Sequence, residues 1–128
     1  IVTGGVLWKV MLERLAVSLD LAGPIAAIRP ITLTGDQIAA DPDGALDFLA
    51  AEANAAVREN GAQAVVLGGA ALAGLAARIA DRVSVPLIDS VHAGARVAER
   101  RLTEARKTRA TPGTPCVGLG DALTRWLA

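Results

Sequence analysis

Apolar runs and helical stripes alternate four times along this chain, and that alternation limits the fold more than any other feature. The runs cover residues 1–3, 25–33, 64–67 and 85–88. The second and third are rich in Val, Ile and Leu, the composition of strands covered on both faces. Between the runs, apolar residues return at helical spacing. Trp8, Met11, Leu12, Leu15 and Leu19 form the first stripe, and Leu46, Leu49, Ala50, Ala53 and Val57 the second. Leu72, Leu75, Ala76, Ile79 and Val83 form the third, and Val91, Ala95, Ala98, Leu102 and Ala105 the fourth. The pattern predicts an α/β fold in three layers: a parallel four-stranded sheet with helices on both faces and right-handed crossovers. With 27 alanines among 128 residues, helices can sit close to such a sheet.

Two boundaries carry their own chemistry. Asp41-Pro42-Asp43 opens a helix with an acceptor at the cap, proline in the first turn and a second carboxylate at the positive dipole end. Asn60-Gly61 closes one, because glycine accepts the left-handed conformation. The alternating pattern holds over residues 1–106. Beyond it, residues 107–115 hold two prolines, a glycine and three threonines and read as an extended connection, and residues 118–128 read as a short helix. The opening run reads as the end of a strand, which suggests an N-terminally truncated lobe.

Composition narrows the partners. Thirteen acidic and thirteen basic side chains give no net charge, and aromatics are limited to Trp8, Phe48 and Trp126. Neither a basic surface nor stacking aromatics point to nucleic acid. The uncharged stretch 60–77 contains Asn60, Gln63 and four glycines, and reads as a strand meeting a helix rather than a membrane span. One cysteine, Cys116, fits a reducing, cytoplasmic setting. It has no evident base or helix terminus to activate it. No metal-ligand spacing, phosphate loop or dinucleotide fingerprint is present, so neither metal nor cofactor is expected.

In parallel α/β sheets, ligands collect beyond the carboxyl ends of the strands. Thr3-Gly4-Gly5, Gly68-Gly69-Ala70 and Asp89-Ser90-Val91-His92 fall there. Glycines at the first two let main chain approach a ligand, or simply make tight turns. His92 is the only histidine and falls in the first turn of the last helix, where it can donate to a ligand, shuttle a proton or merely occupy the surface. Asp89 and Ser90 read first as helix caps.

Residues 61–68, then Val85-Pro86-Leu87-Ile88-Asp89-Ser90 and Ala95-Arg96-Val97-Ala98, resemble the C-terminal lobe of the aspartate/glutamate/hydantoin racemase superfamily. The opening strand with its long helix, and Asp41-Pro42, are most similar to the hydantoin racemase branch. The resemblance implies one lobe of a two-lobed enzyme in which a pair of cysteines exchanges a proton on opposite faces of an α-carbon, without a cofactor. It also implies a missing N-terminal lobe and a homo-oligomer. The family's glycine–cysteine pair reads Gly68-Gly69 here, and Ala70-Ala71 stand where amino-acid racemases carry threonine and histidine. Gly69 therefore marks the catalytic thiol position without supplying a titratable group, with His92 as a helper.

On this reading Thr3, Gly4, Gly68, Gly69, Ala70 and Ser90 bind a small carboxylate or a cyclic amide such as a hydantoin. The alternatives are a catalytically silent anion-binding or interaction domain with the same fold, and a relative of the one-thiol arylmalonate decarboxylases. A flavodoxin-like or receiver-like domain lacks the aromatic pair and the carboxylate cluster it needs.

Overall fold

The computed structural model describes residues 1–105, with side chains as far as residue 102. The expected connection at 107–115, the helix at 118–128 and Cys116 lie outside the described residues. Internal contacts divide the chain after Ala95. The sheet belongs to the first unit, and of the second, residues 96–105 are described and are helical.

Four strands, β1 (Val2–Gly4), β2 (Arg29–Ile31), β3 (Val65–Gly68) and β4 (Leu87–Asp89), pair in parallel in the order β2-β1-β3-β4. Val2 lies opposite Arg29 and Leu67, Thr3 opposite Pro30 and Gly68, and Val65 opposite Leu87. The chain steps one way from β1 to β2 and the other way from β2 through β3 to β4. Right-handed crossovers then place α1 (Val6–Ser18) on one face of the sheet. They place α2 (Gly35–Ala40), α3 (Pro42–Asn60) and the segment between β3 and β4 on the other. The α/β class and the four-stranded parallel sheet are those expected from the alternation.

The core lies under α3. Period-two alternation turns Val2, Ile31, Val65 and Leu67 to that face, and all are buried. They meet Leu46, Leu49, Ala50 and Ala53 of α3, which are spaced to share one helical stripe. Leu49 is fully buried, so truncating it removes packing contacts on every side.

The ends of α3 follow the local sequence. Asp41 accepts a hydrogen bond from the Gly44 N–H at 3.0 Å, and Pro42 occupies the first turn. Gly61 stops the helix at φ +67°, with Gly61 N–H donating to Val57 O and Ala62 N–H to Ala56 O. Arg29 ties β2 to α3. Its guanidinium donates to Glu52 at 3.0 Å and to Glu59 at 2.8 Å, and these bonds raise its pKa.

Three expectations change in detail. Of residues 25–33, only Arg29–Ile31 join the ladder, as an edge strand where Pro30's missing N–H is tolerated. The third helical stripe is not one helix: a 3₁₀ turn (Ala70–Leu72), α4 (Leu75–Arg78) and a second 3₁₀ turn (Ala80–Arg82) divide it. Gly74, at φ +80°, breaks the path, yet Leu72, Ala76, Ile79 and Val83 are all buried as their spacing requires.

The third change concerns α1. Trp8, Met11, Leu15 and Leu19, expected to face the core, are each more than half exposed, and Ala16 is the one buried residue of the helix. The more covered line runs through Lys9, Leu12 and Ala16, where a small side chain lets the helix sit close. Among the described residues, no helix is long and apolar enough to cross a membrane.

Candidate functional site

Parallel pairing brings the carboxyl ends of β1, β3 and β4 side by side, and with them most of the residues singled out from sequence. Thr3 and Gly68 are direct partners across β1 and β3. Thr3 is only 3% exposed, the one buried polar side chain of the described core. Gly4 ends β1 half-buried. Gly5 follows in the open at φ +69° and caps α1 with no side-chain bond; its N–H donates to Ile31 O at 3.1 Å. A Cβ at Gly68 would make ordinary contact with Ile1, Val2 and Thr3, so this glycine is not required for space.

Gly69 differs. Its backbone lies at φ +125° and ψ +147°, a region essentially restricted to glycine. A Cβ placed there meets nothing within 4 Å. The side of the chain where a thiol would stand is therefore open, while the backbone itself has taken a course that an L-residue pays for in strain. The Gly69 carbonyl accepts from Leu72 N–H at 3.0 Å, which closes the 3₁₀ turn. Its N–H points to Ser90 Oγ at a long 3.4 Å. Ala70 is exposed.

Asp89 organises the other side. One carboxylate oxygen accepts the His92 N–H at 2.9 Å and the other accepts the Gly74 N–H at 2.5 Å. The bond from His92, then that from Gly74, holds this carboxyl below the usual aspartate range. As the sequence suggested, Asp89 caps α5 (Ser90–Ala105). Its second bond, to Gly74, was not legible, because fifteen residues separate the two.

His92 is exposed, and its main-chain N–H is the atom tied into the site. The structure thus brings Thr3, Gly4, Gly68, Gly69, Ala70 and Ser90 to one edge of the sheet, with His92 in the first turn of α5. Gly5, Gly74 and Asp89 complete that edge. The signal for Gly4, Gly5, Gly68 and Gly69 was their place at the ends of strands, and Gly74 carried no such signal.

The arrangement is poor in titratable side chains and offers no general base at residue 69; its Gly5, Gly74 and His92 N–H groups are bonded within the protein, while the Gly69 N–H, held only weakly by Ser90, is open to a carbonyl or carboxylate oxygen. Among the described residues, no cluster of three His, Cys, Asp or Glu side chains is placed to hold a metal. A cleft of about 510 Å³ lies elsewhere, at the amino ends of the strands. It is lined by Ile1, Pro24, Ile25, Gly61, Gln63 and Val66 among others, and holds no side chain that titrates.

Comparison with known proteins places this geometry in context. Residues 1–98 match the family model described as Asp/Glu/Hydantoin racemase. A hydantoin racemase of Pseudomonas sp. (strain NS671) is 33% identical over 100 residues, 78% of this chain and 40% of that protein. The hydantoin racemase of Paenarthrobacter aurescens is 46% identical over 59 residues, 46% of this chain and 25% of the relative. The chain therefore spans less than half the length of these curated relatives. The crystal structure of allantoin racemase from Pseudomonas fluorescens superposes with a TM-score of 0.76 at 24% identity. The match covers 91% of this chain and 52% of that one, a likeness of fold.

Proposed function

This chain belongs to the Asp/Glu/Hydantoin racemase family, and from that premise we propose that it forms one lobe of a racemase acting on a hydantoin- or allantoin-type ring. In this reading the ring carbonyl rests against the glycine edge formed by Gly4, Gly68, Gly69 and Ala70, with Ser90 as a hydroxyl donor and the buried Thr3 supporting that edge from within. Proton removal from the carbon beside that carbonyl moves negative charge onto the oxygen, and fixed donors lower the cost of that charge. The proton-handling thiols come from outside residues 1–105, since Gly69 stands where the family places a cysteine. His92 is near enough along α5 to assist and carries no essential step. The reaction draws on no cofactor.

The carrying observation is the loop after β3: a glycine-only backbone at residue 69, open on its outer side, with an N–H held only weakly by Ser90. The test uses the full-length protein with optically pure 5-substituted hydantoins and allantoin in deuterium oxide. Loss of optical rotation together with deuterium at the ring α-carbon is the expected result. Binding of these rings without exchange would replace this reading with the second one that Gly69 favours, a domain that retained the fold and the oxygen-binding edge but not the chemistry. Neither binding nor exchange would end both.

A further inference from the structure

We propose that Asp89 and Ser90 are positioning residues that fix the course of the 69–74 loop, acting as a two-point latch from the end of β4. The latch rests, for its functional meaning, on the reading of that loop as the substrate-facing edge; its existence does not. Two glycines with positive φ, Gly69 and Gly74, bracket the loop, so its backbone is free to turn at both ends. Within it, a short 3₁₀ turn supplies only local bonds, Leu72 N–H to Gly69 O and Ala73 N–H to Ala70 O. Leu72 anchors the middle in the core, while Gly69, Ala70, Ala71, Ala73 and Gly74 are exposed. What holds the two hinge amides is a pair of adjacent residues at the junction of β4 and α5: Ser90 Oγ faces the Gly69 N–H, and Asp89 Oδ2 accepts the Gly74 N–H.

The two points are unequal, and the inequality is informative. The Asp89 bond is short and charge-assisted, the stronger kind. The same carboxylate also fixes the first turn of α5 through the His92 N–H, so Ser90 starts the helix at a set position relative to Gly74. The Ser90 bond, at 3.4 Å, is at the edge of hydrogen-bonding range and is weak. A hydroxyl both accepts and donates, so an incoming carbonyl oxygen can take the Gly69 N–H and receive the Ser90 O–H at the same time. Asp89 thereby holds the loop, and Ser90 keeps the Gly69 amide directed until a ligand replaces it.

Amide hydrogen exchange of the full chain, resolved by residue with NMR, decides the matter. In Asp89→Ala both the His92 N–H and the Gly74 N–H lose their carboxylate acceptor. Exchange at Gly74 is expected to rise about tenfold or more, the cost of one lost charge-assisted partner, with the amides of Leu49 and Ala53 in α3 unchanged. In Ser90→Ala, exchange at Gly69 rises a few-fold and hydantoin, used as the probe, perturbs the Gly69 resonance less; Ser90→Thr, which keeps the hydroxyl, restores both. Unchanged Gly74 exchange in Asp89→Ala overturns the latch, and so does an equal rise in α3, which would mean general loosening. If hydantoin leaves every resonance of the wild-type chain unmoved, the substrate reading falls while the exchange data still decide the latch.

Discussion

Helices α1 and α3 start from similar sequence signals and end in opposite situations. Both are long, and both repeat apolar residues at helical spacing. Yet α3 buries seven side chains, five of them alanines, while α1 buries Ala16 alone. The difference lies in what surrounds the stripe. On α3, Asp43, Asp47 and Arg58 are exposed and Glu52 and Glu59 sit on the flank that meets Arg29 of β2, so one face only is apolar. On α1, Val6, Leu7, Trp8, Val10, Met11, Leu15 and Val17 are spread around the helix, and no polar side tells which face meets the sheet. A helix is oriented by contrast between its faces, not by apolar content.

The sharpest test of that contrast is truncation at matched sizes. Leu49→Ala in α3 is expected to cost about 2–5 kcal/mol in urea unfolding, since a fully buried leucine leaves a cavity. At Gly69, alanine is expected to lower stability by about 1–3 kcal/mol through backbone strain alone, because its Cβ has open space. Gly69→Cys, which reinstates the family side chain, is expected to suffer the same loss, and an undiminished midpoint in denaturant would show that the loop re-forms around a side chain.

Removing the Arg29 guanidinium tests the polar fastening of α3. Arg29→Met is expected to cost about 1–2 kcal/mol, as half-exposed partners screen part of the interaction. Asp89 contributes through pH. Its pKa is depressed in the folded state, so its contribution is complete above the ordinary aspartate range and is lost as pH falls through the folded value. Urea midpoints of Asp89→Asn and wild type should therefore differ most near neutrality and converge in acid. The smallest effect belongs to α1: Met11→Ala, more than half exposed, is expected within about 0.5 kcal/mol of wild type. A larger loss would mean that this face is covered in solution.

The candidate edge was legible because parallel α/β topology places strand ends together whatever their side chains are. Thr3, Gly68 and Ser90 could be assigned to it from the order of runs alone. The small helix α2 was missed, although Thr34 and Gln37 form a reciprocal capping box, with Thr34 N–H bonded to Gln37 and Gln37 N–H to Thr34. A Thr-x-x-Gln signal sits in the chain; six residues are too few for periodicity to reveal it. The division of the third stripe was hidden for the opposite reason, since spacing persisted through a break at Gly74.

Sequence by itself determined what neighbours along the chain can decide. The Asp41-Pro42 start and Gly61 stop of α3, the alternation that makes a parallel sheet, and the glycines after strands all depend on contacts within a few residues. Only the tertiary structure decided which side of α1 meets the sheet, that Gly69 takes a glycine-only backbone, and that Ser90 and Asp89 reach Gly69 and Gly74 from twenty-one and fifteen residues away. Those outcomes depend on where packing brings distant segments, and a side chain cannot announce a partner that only the closed sheet places beside it.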